Sequence, residues 1–239
     1  MTDHLKRMAA EAALAELAPG MRVGLGSGST ARHFIALLGA RVAGGLECVG
    51  VPTSEATARL AREAGIPLGR LDEYPRLDVT VDGADEISPS LDLIKGGGGA
   101  MLREKIVASA SDRMAVIADA SKRVGRLGKF PLAIEVDPFG LGYAQEAIAS
   151  IMRADGAEPE ARLRLSSAGE PFVSDGGHLV IDAFFGRISD TKAVAAALDA
   201  VPGVIEHGLF LGLCDIAYIG VETGLEILRA GPAGAGRAN

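Results

Sequence analysis

The chain has 239 residues, of which 48% are hydrophobic, and it carries a formal net charge of −7. That apolar share is enough for a substantial core. The acidic balance argues against a general nucleic-acid-binding or membrane-surface protein, because such proteins usually carry an excess of basic residues. A bound anion would therefore need a local positive site.

Cysteine and histidine placement gives no support for a metal site. Cys48 and Cys214 lie in apolar, strand-like runs without CxxC spacing, which favours buried reduced thiols over a disulfide or a metal pair. The four histidines are scattered and form no ligand motif. The amino-terminal stretch MTDHLKRMAAEAALAEL reads as a charged amphipathic helix without the apolar core of a signal peptide. We therefore expect a cytoplasmic protein without a metal or a membrane span.

The first half of the chain alternates strands and helices. Strand-like runs occur in MRVGLGSG, CVGVPTS, DVTVDGADEI and RMAVIADAS, and helices are expected from about Thr30 to Leu38, over EATARLAREAG and from Ala100. This alternation predicts a parallel α/β sheet with ligand groups at the carboxyl ends of its strands. A later run, Cys214 to Val221, is expected to return to that sheet as a further strand.

From Pro131 the order changes to strand, helix, two strands, helix and strand. This βαββαβ order is typical of a small two-layer α+β domain. The sequence thus predicts one domain over residues 1–130 plus 208–232 and a smaller second domain over 131–207. Residues 233–239, which are mostly small, are predicted to be a disordered tail.

The stretch GLGSGSTA, Gly24 to Ala31, follows the first strand of the sheet and opens a helix. Its backbone N–H groups, the hydroxyls of Ser27, Ser29 and Thr30, and the helix dipole together form an anion site that suits a phosphate. The lysine of a nucleotide-triphosphate loop is missing, so a nucleoside triphosphate is not expected.

Two other interpretations of this loop stay open. Gly26, Gly28 and Ala31 satisfy the dinucleotide fingerprint G-x-G-x-x-G/A, but a ribose-binding acid should then end the second strand, where the chain has Pro52-Thr53-Ser54. This absence disfavours an NAD-dependent dehydrogenase. The loop is alternatively a tight strand-to-helix turn with capping hydroxyls and no ligand.

The stretch DGADEI places Asp82, Asp85 and Glu86 at the carboxyl end of an apolar strand. Three carboxylates so close together repel one another, which a solvated turn tolerates. Their position at the carboxyl end of a parallel strand favours a ligand site instead.

The stretch LIKGGGGAMLREKI contains four consecutive glycines before a helix. Such a run is costly unless the backbone must approach a ligand closely, the alternative being a flexible hinge. If the helix begins at Ala100, Glu104 shares its apolar face with Met101, Val107 and Ala108. A carboxylate partly removed from water is a stronger base, so Glu104 is a candidate general base. With an error in helix phase it would be a surface residue instead.

These features predict proton transfer on a small phosphorylated molecule. A base removes the proton α to a carbonyl, donors stabilise the enediolate oxygens, and the base returns the proton to the neighbouring carbon. Lys122, which follows a strand end beside Asp119 and Ser121, either closes this site or is a surface charge.

Five blocks in this order, GLGSGSTA, PTSEAT, VDGADEI, IKGGGGAMLREKI and IADASKRVGRLGKFPL, resemble the A-type ribose-5-phosphate isomerase family. The resemblance implies interconversion of D-ribose 5-phosphate and D-ribulose 5-phosphate, without a metal or other cofactor, in the non-oxidative pentose phosphate pathway. It also implies a Rossmann-like, mostly parallel sheet domain with a smaller ferredoxin-like α+β domain. Members assemble as homodimers or homotetramers, so the small domain is expected to serve oligomerisation.

The resemblance also implies roles for single positions. Glu104 matches the proton acceptor, and Asp82, Asp85 and Lys95 match groups that assist ring opening and enediolate formation. The resemblance implies three substrate-binding segments and two single contacts. The first segment, Ser27, Gly28, Ser29 and Thr30, binds the phosphate; the second is Asp82, Gly83, Ala84 and Asp85; the third is Lys95, Gly96, Gly97 and Gly98. The single contacts are Lys122 and Lys6. A non-catalytic sugar-phosphate sensor on the same scaffold is the main alternative, disfavoured by the intact acidic and basic groups and by the lack of a helix-turn-helix segment.

Overall fold

Strands and helices of the predicted kinds occupy most of the chain in the computed structural model, which describes residues 2–231. The helices are α1 Thr2–Ala13, α2 Ser29–Ala43, α3 Glu55–Glu63, α4 Met101–Ser109, α5 Leu141–Ala154 and α6 Thr191–Asp199. The strands are β1 Met21–Leu25, β2 Cys48–Pro52, β3 Val79–Asp82, β4 Glu86–Ile87, β5 Leu93–Ile94, β6 Met114–Asp119, β7 Leu132–Val136, β8 Ala161–Leu163, β9 Leu179–Ala183, β10 Val204–His207, β11 Leu209–Phe210, β12 Ile216–Val221 and β13 Gly224–Arg229. Short 3-10 turns occupy Leu14–Glu16 and Ala120–Lys122.

The chain divides into two units. The first contains the described residues up to Ala84, Arg103–Arg123 and the described residues from Gly212 onward. The second contains Asp85–Leu102 and Val124–Leu211. None of the described helices is long and apolar enough to cross a membrane.

The first unit is built on a six-stranded sheet in the order β13-β12-β6-β3-β1-β2. All its pairs are parallel except β12 with β13. The prediction that the run from Cys214 returns to this sheet is confirmed, since β12 pairs with β6. The sequence does not predict β13, an edge strand with most of its side chains exposed, because it lacks the apolar alternation of a half-buried strand.

Apolar side chains from the helices cover this sheet. Phe34 and Leu38 of α2 are fully buried in one core cluster with Val23, Leu25 and Val81 of the strands. The helix α1 lies so close to β12 that a Cβ atom at Gly220 would be 2.1 Å from the carbonyl oxygen of Leu5. Only glycine permits that approach of two backbones.

The second unit contains a four-stranded antiparallel sheet, β10-β7-β9-β8, and the helices α5 and α6. Its element order, β7-α5-β8-β9-α6-β10, is the predicted βαββαβ order. Ile148 and Met152 of α5 and Leu198 of α6 share a core cluster with the sheet residues Ile134 and Ile181. The predicted fold class is therefore confirmed: a mostly parallel, Rossmann-like sheet and a smaller ferredoxin-like α+β sheet.

The bounds of the two units differ from the predicted domain bounds. The second unit contains three ranges that were predicted to lie in the first domain: 85–102, 124–130 and 208–211. The reason is a small third sheet, β11-β5-β4, whose two-residue strands are too short to be predicted. The separate catalytic and oligomerisation roles of the domains stay predictions, and the tail predicted at 233–239 lies outside the described residues.

One partly buried hydrogen bond anchors the 3-10 turn after α1 to the sheet. The Tyr218 hydroxyl of β12 donates to the Glu16 carboxylate, which also pairs with Arg113 at 2.9 Å. Burial, with the hydrogen bond and charge of Glu16, raises the pKa of Tyr218 from 10.0 to about 12. The neutral phenol is therefore the form that the fold favours.

Replacing Tyr218 by Phe should lower the free energy of unfolding by about 1.5 kcal/mol, as expected for a hydrogen bond to a charged group. Because the folded pKa lies above that of a free tyrosine, this contribution is complete below pH 10.0 and is lost as the pH rises towards about 12. Urea unfolding at neutral and alkaline pH measures both effects. The control is Tyr143→Phe at an exposed tyrosine, which should leave stability unchanged; equal stabilities of the two variants would contradict the prediction.

Candidate active site

The loop after β1 approaches the sheet through its glycines. A Cβ atom at Gly26 would be 2.1 Å from Oδ1 of Asp82, so no other residue fits there. Gly28 adopts a φ of 96°, a conformation that favours glycine. In the part of the chain that the structure describes, no side chain caps α2 at Gly28, which leaves the first-turn N–H groups of α2 available to an anion.

A cluster of hydroxyls supports the loop. The Oγ atom of Ser27 lies 2.9 Å from Thr53 Oγ1, 2.8 Å from Ser54 Oγ and 3.1 Å from Thr57 Oγ1. Thr53 donates to the carbonyl oxygen of Leu25, which ends β1, and Thr57 donates to that of Gly26 in the loop, each at 3.0 Å. The hydroxyl groups of Thr53 and Ser54, which follow the second strand, are therefore buried and support the loop. Their sequence pattern does not predict this role.

Lys6 reaches the outer side of the same loop. Its Nζ atom donates to Oγ of Ser29 at 3.0 Å, which brings an ammonium group from α1 to the start of α2. Ser29 is exposed, whereas the hydroxyl of Ser27 is engaged within the protein. The structure thus places Lys6 and Ser29, two of the predicted substrate contacts, side by side.

Asp82 is fully buried at the end of β3. Its Oδ1 atom accepts hydrogen bonds from the backbone N–H groups of Ser27 at 3.1 Å and Gly83 at 2.7 Å. These two amides fix the orientation of the carboxylate and join it to the loop. The interpretation of the acidic stretch as a solvated turn is wrong for Asp82.

Glu104 lies on the apolar face of α4, as predicted. It is only 4% exposed, and Met101, Val107 and Ala108 on the same face are also buried, so the alternative of a surface residue is wrong. The helix begins at Met101, one residue later than predicted.

Close contacts fix α4 against the sheet of the first unit. A Cβ atom at Gly24 of β1 would be 2.6 Å from Cγ1 of Val107. Ser111 donates to the Val107 carbonyl at 2.8 Å and shares a 2.6 Å hydrogen bond with Thr80 of β3. The helix segment that carries Glu104 is therefore held by two strands.

A surface ion pair joins α4 to α3. Arg103 donates to Glu55 at 2.9 Å, and this hydrogen bond and the charge of Arg103 lower the pKa of the Glu55 carboxyl. Exposed pairs of this kind contribute little to stability. The pair nevertheless shows that the side chain of Arg103, the residue before Glu104, points away from the apolar face of α4.

Glu86 is a structural residue of the second unit. It is 3% exposed, and its carboxylate accepts the N–H groups of Gly128 at 2.7 Å and Phe130 at 2.6 Å. One amide binds Oε2 and the other Oε1, so both oxygens of Glu86 are occupied by the fold itself, whereas the two amides at Asp82 share Oδ1. Of the three carboxylates in DGADEI, Asp82 and Asp85 therefore remain as candidates for substrate contact.

Tertiary contacts hold the glycine segment of the second unit. Asp85 Oδ2 accepts the Gly97 N–H at 2.8 Å. Added Cβ atoms would lie 2.7 Å from Ala133 Cβ at Gly96 and 2.4 Å from the Phe172 ring at Gly99. Gly98 differs, since nothing lies within 4 Å of its added Cβ. These contacts favour a positioned segment over a flexible hinge.

Lys95, at the start of that segment, is 3% exposed. Its backbone N–H donates to the Gly208 carbonyl at 2.9 Å. Its side-chain Nζ atom lies 5.5 Å from the centre of the Phe210 ring, within cation–π range. Gly208 and Phe210 could not be predicted as partners of Lys95 from the sequence, because nothing in their local pattern connects them with it.

Lys122 ends the 3-10 turn after β6, at the carboxyl edge of the parallel sheet. Asp119 caps this turn by accepting the Ser121 N–H at 3.0 Å, so its role is structural. The predicted site residues are thus divided between the units. Lys6, Ser27–Thr30, Asp82–Ala84, Glu104 and Lys122 belong to the first, and Asp85 with Lys95–Gly98 belongs to the second.

Asp199, Glu206 and His207 are the described group with the spacing of metal ligands, their ligand atoms lying within 4.8 Å of one another. Nδ1 of His207 accepts the Leu209 N–H at 3.2 Å, so the ring proton lies on Nε2, which is 3.2 Å from Asp199 Oδ1. A metal-binding histidine normally donates from its other nitrogen. This arrangement therefore suits a hydrogen-bonded pair better than a metal ligand.

Known proteins resemble most of the chain. The family model of ribose 5-phosphate isomerase A (phosphoriboisomerase A) matches residues 49–224. A Bradyrhizobium diazoefficiens protein named ribose-5-phosphate isomerase A is 55% identical over 230 residues, covering 95% of each chain.

Two solved structures extend this likeness to the fold. A D-ribose-5-phosphate isomerase in complex with phospho-erythronic acid matches with a TM-score of 0.89 and 38% identity, covering 96% of this chain and 99% of that one. Ribose 5-phosphate isomerase A of Methanocaldococcus jannaschii matches with a TM-score of 0.88 and 37% identity, covering 95% and 99%. The chain therefore belongs to the ribose 5-phosphate isomerase A family and is an isomerase.

Proposed function

We propose that the chain interconverts D-ribose 5-phosphate and D-ribulose 5-phosphate through an enediolate, with Glu104 as the group that moves the proton. The observation that carries this proposal is the burial of the Glu104 carboxylate on an otherwise apolar helix face. A carboxylate is costly to bury, so its presence there calls for a role. General-base catalysis is such a role, because a partly dehydrated carboxylate binds a proton more strongly.

The reaction needs one base and several hydrogen-bond donors. Glu104 takes the proton from the carbon next to the carbonyl and returns it to the other carbon of the enediolate. Lys95 and the N–H groups of the glycine segment stabilise the negative oxygens. Asp82 and Asp85 contact the sugar hydroxyls: one of them transfers the proton that opens the ring, and the proton of the C2 hydroxyl moves through them to the former carbonyl oxygen on C1.

The phosphate binds at the start of α2 in this proposal. The N–H groups of Gly28, Ser29 and Thr30, the exposed Ser29 hydroxyl and the ammonium groups of Lys6 and Lys122 supply its donors. Ser27 supports the loop, because Asp82 accepts a hydrogen bond from its N–H and its hydroxyl is hydrogen-bonded within the hydroxyl cluster. The phospho-erythronic acid in complex with a relative carries a phosphate, as the proposed substrate does.

From the family resemblance we further propose a cytoplasmic homodimer or homotetramer that works without a metal or other cofactor. No step of the reaction as written needs a redox group, because the electron pair of the broken C–H bond stays within the substrate and Glu104 returns the proton that it takes.

Replacing Glu104 by Gln should lower kcat for ribose 5-phosphate by about 10²-fold or more, because the amide cannot accept the proton. The change keeps the size of the side chain, so the folded state should persist. A coupled assay of ribulose 5-phosphate formation measures the effect. Glu63→Gln, at an exposed position of α3, is the matched control and should keep wild-type activity. Full activity of Glu104→Gln would refute the role of Glu104. If the wild-type protein itself had no activity, the chain would be a non-catalytic sensor instead.

Treatment with EDTA followed by removal of the chelator should leave wild-type kcat unchanged, since the proposed donors are side chains and backbone amides. The assay is run with and without added Mg²⁺ or Zn²⁺. Loss of activity that a metal restores would contradict the metal-independent mechanism.

Replacing Ser29 by Ala should raise KM for ribose 5-phosphate about 10-fold with a smaller effect on kcat, because one donor to a charged phosphate is lost. Competitive inhibition by inorganic phosphate should weaken by a similar factor. Ser167→Ala at an exposed serine is the control. Unchanged constants in both measurements would remove Ser29 from the phosphate site.

A further inference from the structure

Arg164, which follows β8, binds the glycine segment from the second unit's own sheet. Its Nη1 atom donates to the carbonyl oxygen of Gly96 at 2.8 Å and to that of Gly97 at 3.3 Å. Nε donates to Oδ2 of Asp182 at 2.9 Å, and Nη2 donates to the other carboxylate oxygen. One guanidinium therefore connects β9 with two consecutive peptide groups of the glycine segment.

Asp182 and Phe172 hold the guanidinium in place. The side chains of Arg164 and Asp182 are 13% and 19% exposed, so their ion pair is shielded from water and bidentate. Cζ of Arg164 lies 5.7 Å from the centre of the Phe172 ring. The same ring contacts the backbone at Gly99, where a Cβ atom would be 2.4 Å from it. Arg164, Asp182 and Phe172 form what we call the arginine brace.

The brace determines which way the peptide groups point. No peptide bond among the described residues is cis, so the C=O and N–H of each peptide group point in opposite directions. In the Gly96–Gly97 peptide, Arg164 binds the C=O and Asp85 binds the N–H. In the next peptide, Arg164 binds the Gly97 C=O, so the N–H of Gly98 points away from the brace.

Gly98 also has room beside it that Gly96, Gly97 and Gly99 lack, since nothing lies within 4 Å of its added Cβ. An N–H whose direction is set by a fixed peptide group is a preorganised donor. Without the brace, a run of glycines would populate many other conformations, because glycine has the largest backbone freedom. Arg164 therefore helps to set the orientation of this donor, together with the Asp85 bond to the Gly97 N–H and the bond of the Gly99 N–H to the Gly96 carbonyl.

We propose that Arg164 is a positioning residue of the isomerase, which fixes the glycine segment so that its amides meet the developing enediolate oxygen. This inference rests on the proposed function. The role requires the planar fork of the guanidinium, because two carbonyls and a carboxylate are bound at once. The single ammonium of a lysine lacks that fork.

The test compares Arg164→Lys with Arg162→Lys, a matched control on β8. Arg162 pairs with Glu160 and is 69% exposed. Arg164→Lys should lower kcat at least about 10-fold while KM changes little, since a donor aimed at the transition state is displaced. Inhibition by inorganic phosphate should stay at the wild-type level, which a general loss of structure would not allow. Arg162→Lys should match the wild type in all three constants.

Asp182→Asn is a second variant in case Arg164→Lys does not fold. It keeps the shape of the side chain, removes the charge that holds Arg164, and should lower kcat in the same direction. A kcat of Arg164→Lys or of folded Asp182→Asn equal to that of the wild type would overturn the proposal.

Amide hydrogen exchange separates this inference from the proposed function, because it needs no activity. The Gly97 N–H, which Asp85 accepts, should exchange at least about 10-fold faster in Arg164→Lys, since its peptide group is no longer held. Exchange in α5 and β9 should stay unchanged. If the wild type has no isomerase activity, the proposed function fails while faster exchange still supports the brace; unchanged exchange at Gly97 overturns it.

Discussion

Parallel pairing of β1, β2, β3 and β6 is the constraint on which the first unit depends. Parallel strands all end at the same edge of a sheet, so the segments that follow them meet there. The glycine loop follows β1, Thr53 follows β2, Asp82 ends β3 and the turn with Lys122 follows β6. Chain direction therefore collects groups that are far apart in sequence, before any side chain contributes binding energy.

The two glycine-rich segments solve different problems. In the loop after β1, glycine is required at Gly26 because the Asp82 carboxylate occupies the space of a side chain, and at Gly28 because of its positive φ. In the segment before α4, the cost of ordering is offset by contacts from distant side chains, Asp85 and Arg164. Backbone freedom is useful in each case only after tertiary contacts have removed it.

Sequence patterns with a local cause predicted the structure well. The apolar face of α4 placed Glu104 correctly, because helical periodicity acts over a few residues, and the alternation of strands and helices gave the fold class. The missing parts are long-range. Arg164 contacts Gly96 from 68 residues away, and Glu86 contacts Phe130 from 44 residues away. Their neighbours in sequence give no sign of these partners, which only strand order brings together.

Asp82 also explains why the loop after β1 carries the glycine spacing of a dinucleotide-binding protein. Gly26 is needed because the Asp82 carboxylate occupies the volume of its Cβ, and Gly28 because of its positive φ. Neither glycine needs a pyrophosphate to account for it. A pattern search on glycines alone would thus classify the chain with the wrong enzymes, because the residue that requires Gly26 is an aspartate 55 positions beyond Ser27.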